Sequence, residues 1–205
     1  MDEVFPNIYL GGSYAAENMD TLTTKKISFV LSIMSKNLPP STRDAYMHNR
    51  IQHVYIKKHD ESKEDMLPIL GEACKVIEEN SQKGKGVLVH CAMGISRSAT
   101  VMVAYALVST VLTMIVMQRW GISPSEAITF VRGKRYVVSP NRGFLEQLEV
   151  WQDCGYDVYS KIKVNGEQVP KEAYARWLKR AEEMNAQDER DAAAQNASNT
   201  DTEAP

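Results

Sequence analysis

The stretch Val89-His90-Cys91-Ala92-Met93-Gly94-Ile95-Ser96-Arg97-Ser98-Ala99 sets a cysteine six positions before an arginine, with a glycine and a serine between them. Gly86-Val87-Leu88-Val89 reads as a short buried strand, and a long apolar helix begins at Ser98, so Cys91 to Arg97 is a strand-to-helix turn. Backbone N–H groups in such a turn converge on one point and meet the positive end of the helix dipole, which suits a phosphate. The same field favours a thiolate: beside a cation at a helix N-terminus a cysteine pKa falls to roughly 3.5–7.5, making Cys91 a nucleophile at neutral pH. Arg97 offers a planar fork for two phosphate oxygens, Gly94 suits a tight turn or close approach to ligand, and Ser98 can donate to the sulfur when it must leave.

These residues resemble the His-Cys-x5-Arg-Ser/Thr loop of the cysteine-dependent protein tyrosine phosphatase superfamily, most closely its small atypical dual-specificity members. The resemblance extends over about residues 4–155. Asn7-Ile8-Tyr9-Leu10-Gly11 is similar to the family's opening strand, and Ser139-Pro140-Asn141-Arg142-Gly143-Phe144 to its late Pro-Asn-x-Gly-Phe segment. It implies an α/β single domain, a central mostly parallel sheet flanked by helices. It also implies hydrolysis of phosphotyrosine and phosphoserine or phosphothreonine on proteins through a cysteinyl-phosphate. A buried inert cysteine is the bland alternative; it explains neither Gly94 nor Arg97.

In the resembled family a general acid sits on a loop ahead of a helix. Asp60, 31 positions before Cys91 and just after the strand-like Gln52–Ile56, is the candidate, with Glu61, Glu64 and Asp65 as rivals. Asp65 better suits the start of the following helix. Cys91, Arg97, Asp60 and Ser98 are thus the expected catalytic set, and Ala92, Met93, Gly94, Ile95, Ser96 and Arg97 the phosphate-binding loop. His90 is expected to orient that loop rather than act as a base. Asn141 either props the loop, as the resemblance implies, or simply caps the helix starting near Arg142. His48, His53, His59, Cys74 and Cys154 show no metal-ligand spacing, so no metal and no cofactor are expected.

Apolar runs Phe29–Ile33, Val54–Ile56 and Val87–Val89 read as strands, with helices near Tyr14–Lys25 and Met66–Asn80 between them. Ser123-Pro124-Ser125-Glu126 is a capping-box helix start, leading to a helix that ends near Gly133; another runs from Arg142 through Asp153. Residues 1–160 are expected to form the catalytic domain and 161–185 a helical extension, with Tyr174, Trp177, Leu178 and Ala181 on one face of a helix opened by Pro170. Residues 186–205 have little to bury and are expected to be a disordered tail.

One segment breaks the family pattern. Leu107–Val116 adds ten uncharged residues before the basic-aromatic Met117-Gln118-Arg119-Trp120. As helix it adds roughly 15 Å and turns everything downstream by about 80°. Ala99–Met117 is uncharged over 19 residues, long enough to pass as a membrane span. A span is rejected, because it would pull the catalytic loop from the helices that complete the domain. The segment is then a loop or helical extension exposing an apolar patch, a destabilising element, or a retained intron in the gene model. The third is favoured, since removal restores the family spacing.

At 205 residues and 43% hydrophobic content the chain can bury one substantial core. A net charge of −2 gives no field for nucleic acid. Three cysteines, one needing to stay reduced, and an N-terminus without a signal or lipidation motif point to the cytosol or nucleus, where the sequon Asn196-Ala197-Ser198 has no meaning. Ala92, Met93 and Ile95 bring no cations, which favours phosphoprotein substrates over phosphoinositides or RNA triphosphates; the docking partner is not specified by the sequence. A non-catalytic phosphoprotein-binding module and a lipid phosphatase are the rival functions.

Overall fold

Each strand of the central sheet carries the burial its sequence pattern demands. In the computed structural model, which describes residues 1–117 and 122–200, the sheet comprises β1 (Asp2–Phe5), β2 (Ile8–Gly11), β3 (Ile27–Met34), β4 (Gln52–Lys57) and β5 (Gly86–His90), in the order β1-β2-β5-β3-β4. The four strands β2, β5, β3 and β4 are parallel; β1 returns antiparallel to β2 through a turn in which Asn7 takes positive φ. Mostly apolar β5 and β3 are interior strands, as expected for parallel strands covered on both faces, while the half-exposed β4 lies at an edge.

On one face Tyr9, Leu88 and Val30, aligned across β2, β5 and β3, pack with Ala16, Leu22, Leu38 and Tyr46. Those partners come from α1 (Ser13–Glu17), α2 (Met19–Thr24), α3 (Pro40–His48) and the segment before it. α4 (Leu67–Gln82), α5 (Arg97–Met117), α6 (Pro124–Lys134) and α7 (Arg142–Asp153) complete the unit, with α4, α6 and α7 all packed on α5. α5 is central: Val101, Met102, Val103, Ala104 and Leu107 are all buried, as a helix apolar on every side requires. Ser123 and Glu126 form the anticipated capping box of α6.

Several expectations change. The helix expected over Tyr14–Lys25 is two helices, because the Asn18 side chain accepts from Thr21 N at 2.8 Å and starts a new one. β1 and α3 were not anticipated, although Pro40 in the first turn of α3 is a recognisable start signal. The Leu107–Val116 backbone is a direct helical continuation of α5 rather than a loop. Of the basic-aromatic stretch, Gln118, Arg119 and Trp120 lie outside the described residues, as do residues 201–205.

The compact unit spans Met1–Asp157, and Val158–Pro205 forms a second. There, β6 (Tyr159–Val164) and β7 (Glu167–Pro170) make a hairpin where a helical extension was expected. Asn165 and Gly166, both at positive φ, supply the tight turn that matches strand twist. α8 (Glu172–Thr200) starts after Pro170, with Tyr174 and Trp177 buried on its expected face. It continues through the described part of the expected tail. Residues 186–193 are exposed, but Ala, Glu, Gln and Arg are strong helix formers, and Gln187 bonds Asp191 one turn on.

Candidate active site

The loop from Cys91 to Ser96 leaves the C-terminal end of β5 and enters α5 at Arg97. Gly94 turns it at φ +70°, and a Cβ there would lie 2.4 Å from Gly11 O, so the position admits only glycine. Gly12 meets the loop from the other side, since its own Cβ would lie 2.8 Å from Ala92 O. Four successive carbonyls face outward to fixed donors. Ala92 O accepts from Ser13 N (2.9 Å), Met93 O from Arg135 Nη2 (3.0 Å), Gly94 O from Arg135 Nε (2.9 Å) and Ile95 O from Ser139 N (2.9 Å). With the carbonyls drawn out, the amides turn in, and Gly94 N–H lies 3.3 Å from Cys91 Sγ.

Cys91 is buried, 1% exposed. Burial alone would raise its pKa; the Ser98 hydroxyl and the amides of Ser98, Ile95 and Gly94 outweigh it and leave the thiol below its ordinary value. Ser98 Oγ is itself fully buried with no oxygen or nitrogen partner. Cys74 shows the contrast: also buried but without such donors, its thiol is pushed up to about 12.

Asp60 reaches this loop. Its Oδ1 accepts from Ser96 Oγ (2.6 Å) and Asn141 Nδ2 (3.1 Å), while Oδ2 lies 3.5 Å from Arg97 Nε. Arg97, 6% exposed, also donates to Lys58 O at 3.2 Å. The rivals are otherwise engaged. Glu64 accepts from Lys58 Nζ and His59 N, bonds that outweigh its partial burial and hold its carboxyl below the usual range. Asp65 accepts from Leu67 N at the start of α4, and Glu61 lies 3.9 Å from His59 on the surface.

Asn141 bonds both to the start of α7 and to the Asp60–Ser96 pair. Its Oδ1 caps α7 by accepting from Phe144 N (3.0 Å), its Nδ2 holds Asp60, and its N–H donates to Ser96 Oγ (3.2 Å). α7 fixes the rest of the Asp60 loop: Gln147 bonds Met66 N and Glu64 O, and Gly143 lies so close that a Cβ would overlap Ser62 O at 1.8 Å. His90 is fully buried, and its Nδ1 lies 3.1 Å from Cys91 O. Burial is the main cause holding its pKa down, to about 4, which keeps the ring neutral and removes it as a proton carrier at pH 7.

The structure therefore brings Asp60, His90, Cys91, Arg97, Ser98 and Asn141 together around one loop. Arg135, which grips two loop carbonyls and pairs with Asp2 at 2.5 Å, was missed; nothing in a single sequence separates it from Arg132 and Lys134. Among the described residues no three His, Cys, Asp or Glu side chains cluster to hold a metal, and no helix is long and apolar enough to cross a membrane.

The family model described as "Dual specificity phosphatase, catalytic domain" matches residues 8–154. Protein phosphatase Slingshot homolog 3 of Mus musculus is 33% identical over 149 residues, 73% of this chain but only 20% of its own length. The chain thus spans about a fifth of that relative. Dual specificity protein phosphatase 1B of Arabidopsis thaliana is 32% identical over 152 residues, covering 74% of this chain and 81% of the relative. Among solved structures, the Yvh1 phosphatase domain from Chaetomium thermophilum superposes with a TM-score of 0.63 at 29% identity, over 74% of this chain and 93% of that one.

Proposed function

Because the chain belongs to the dual specificity phosphatase catalytic-domain family, we propose that it hydrolyses phosphotyrosine, phosphoserine and phosphothreonine on proteins. The Cys91 thiolate attacks phosphorus; the S–P bond forms as the P–O bond to the side chain breaks. Arg97 and the inward amides bind the phosphoryl oxygens. Asp60, held at Oδ1 by two donors, gives the proton that passes to the departing oxygen. Water then attacks phosphorus and gives a proton back to Asp60. The S–P bond breaks, releasing phosphate and a thiolate that Ser98 stabilises. The observation that carries this reading is the loop with its carbonyls drawn outward around a thiol of lowered pKa.

Its test is phosphate release from an aryl phosphate across pH 5–8 by the intact chain beside Cys91→Ser. Turnover abolished by the substitution supports the reading. Stoichiometric phosphopeptide capture without phosphate release refutes it in favour of a binding module, and preference for phosphoinositides over phosphopeptides refutes the protein-substrate assignment.

The uncharged Ala92, Met93 and Ile95 support phosphoprotein substrates. The catalytic role belongs to the region up to residue 160, and the three free cysteines suit the reducing cytosol or nucleus. Leu107–Val116 we assign to a retained intron; a dominant spliced message encoding it would overturn that assignment.

A further inference from the structure

A hydrogen-bonded chain runs from the edge of the sheet to the nucleophile. His53 on β4 pairs in register with Val30, while Ser32, two residues on, pairs with His90, so all three polar side chains share the face that looks toward α3. His53 Nε2 lies 2.8 Å from Ser32 Oγ, Ser32 Oγ 2.6 Å from His90 Nε2, and His90 Nδ1 3.1 Å from Cys91 O. Ser32 and His90 are fully buried in an otherwise apolar face; His53 is half-buried, edge-on to the Tyr46 ring with centroids 5.5 Å apart.

Donor counting fixes every proton. A carbonyl oxygen only accepts, so His90 Nδ1 carries hydrogen. Because burial keeps His90 neutral, its Nε2 is a bare acceptor, and the Ser32 hydroxyl must donate to it. Ser32 Oγ then accepts from His53 Nε2–H. The order His53→Ser32→His90→Cys91 O has one direction only, and it holds whether or not His53 Nδ1 is protonated. The groups facing His53 are Ser32, His90, Tyr46 and the Arg43 charge; with burial the larger cause, Arg43 lowers its pKa.

We infer that Ser32 and His53 are positioning residues for the nucleophile, fixing the His90 ring whose Nδ1–H holds the Cys91 carbonyl away from the sulfur. Without the Ser32 proton, His90 Nε2 is left a buried acceptor with no donor, and the ring gains by shifting from this position, which loosens the Nδ1–H bond to Cys91 O. The Cys91–Ala92 peptide then rotates, and the amides that support the thiolate lose their aim. Hydrogen bonds in such a buried series polarise one another, so the outer donor His53 reinforces the inner bonds. The inference rests on Cys91 being the nucleophile, but its tests need no turnover.

The first test reads tautomers by long-range ¹H–¹⁵N correlation of the histidine rings in the intact chain. His90 should show Nδ1–H and His53 should keep Nε2–H; Nε2–H on His90 would overturn the assignment outright. The second reads the Cys91 thiol pKa from the pH dependence of iodoacetamide alkylation, followed on the Cys91 peptide. Ser32→Ala should move the alkylation profile about one unit to higher pH, so that the rate on its acid limb falls about tenfold. His53→Phe keeps the ring on Tyr46 but removes the donor, and should slow it about two- to threefold; His53→Gln, which restores an N–H donor, should recover the wild-type profile. A folded Ser32→Ala with an unchanged profile refutes the proposal. If Ser32→Ala does not fold, His53→Phe decides: an unchanged profile refutes it, and a shift that His53→Gln reverses supports it. Loss of aryl phosphate hydrolysis with these profiles intact would count against the phosphatase reading alone.

Discussion

Asn141 performs two functions through two different atoms, and substitution can separate them. Its Oδ1 caps α7, and its Nδ2 is one of two donors that fix Asp60 Oδ1. Asn141→Ala removes both, whereas Asn141→Ser keeps a capping oxygen of similar rank but cannot reach Asp60. The cap is worth about 1 kcal/mol, so urea unfolding should show that loss for alanine and little for serine. Asp60 is partly exposed, its side chain 37% accessible, so water replaces the lost bond at small cost to stability. Its orientation suffers more. A general acid contributes roughly 10²–10⁴ in rate; an acid held by Ser96 alone should lose about tenfold, or about 1.4 kcal/mol of barrier lowering. The assay is kcat/KM on phenyl phosphate, whose leaving oxygen needs a proton, against p-nitrophenyl phosphate, which needs it far less. Both variants should fall about tenfold on the first and stay within about twofold on the second. If Asn141→Ser keeps the wild-type rate on phenyl phosphate, Asn141 is only a cap and the placement of Asp60 is misassigned.

Gly94→Ala should abolish both activity and the binding of a phosphate analogue, because its Cβ meets Gly11 O at 2.4 Å and the backbone is left-handed there; tungstate binding by calorimetry checks it. Arg135→Ala frees the Met93 and Gly94 carbonyls, and kcat/KM should drop about tenfold, with Arg135→Lys failing to restore it because a lysine cannot span two carbonyls and Asp2 at once. His90 titrates near 4 in the fold and near 6.5 unfolded, so the unfolded chain binds the extra proton between those values. Stability from this group is therefore complete above pH 6.5 and lost on acidification toward pH 4, by about 3 kcal/mol. Urea titrations of wild type against His90→Gln should show that difference in slope, and parallel curves would contradict it.

The chemistry was legible in the sequence because its central part is local. Cys91, Gly94, Arg97 and Ser98 lie within eight residues, and their spacing alone dictates a strand-turn-helix. Asp60 and Asn141 came from resemblance, and their meeting at one carboxylate oxygen depends on α7 approaching the loop after β4 across 81 residues of chain. Ser32 and His53 were invisible for a related reason: cross-strand register decides that they touch, and no local pattern encodes it. Two further elements have a local signal. Asn165-Gly166 is a strong hairpin dipeptide, and the composition after Asn185 favours helix even though it offers little to bury.

The ten extra residues of α5 threaten the site only if they shift what lies downstream. They begin at Leu107, ten residues beyond Arg97 and so roughly 15 Å along the helix from the catalytic loop. The downstream segment nevertheless returns to that loop through Arg135, Ser139 and Asn141, each bonded to it at 2.9–3.2 Å. The site is thus closed by side-chain and backbone hydrogen bonds that are made with the longer α5 in place. Deleting Leu107–Val116 should therefore leave the Cys91 alkylation profile unchanged. Stability in urea should stay within about 1.5 kcal/mol, because Met117 then follows Ala106 at the position of the buried Leu107, and a leucine-to-methionine exchange nearly conserves volume. A deletion that raised the Cys91 pKa or unfolded the chain would show that the longer α5 is built into the loop's support.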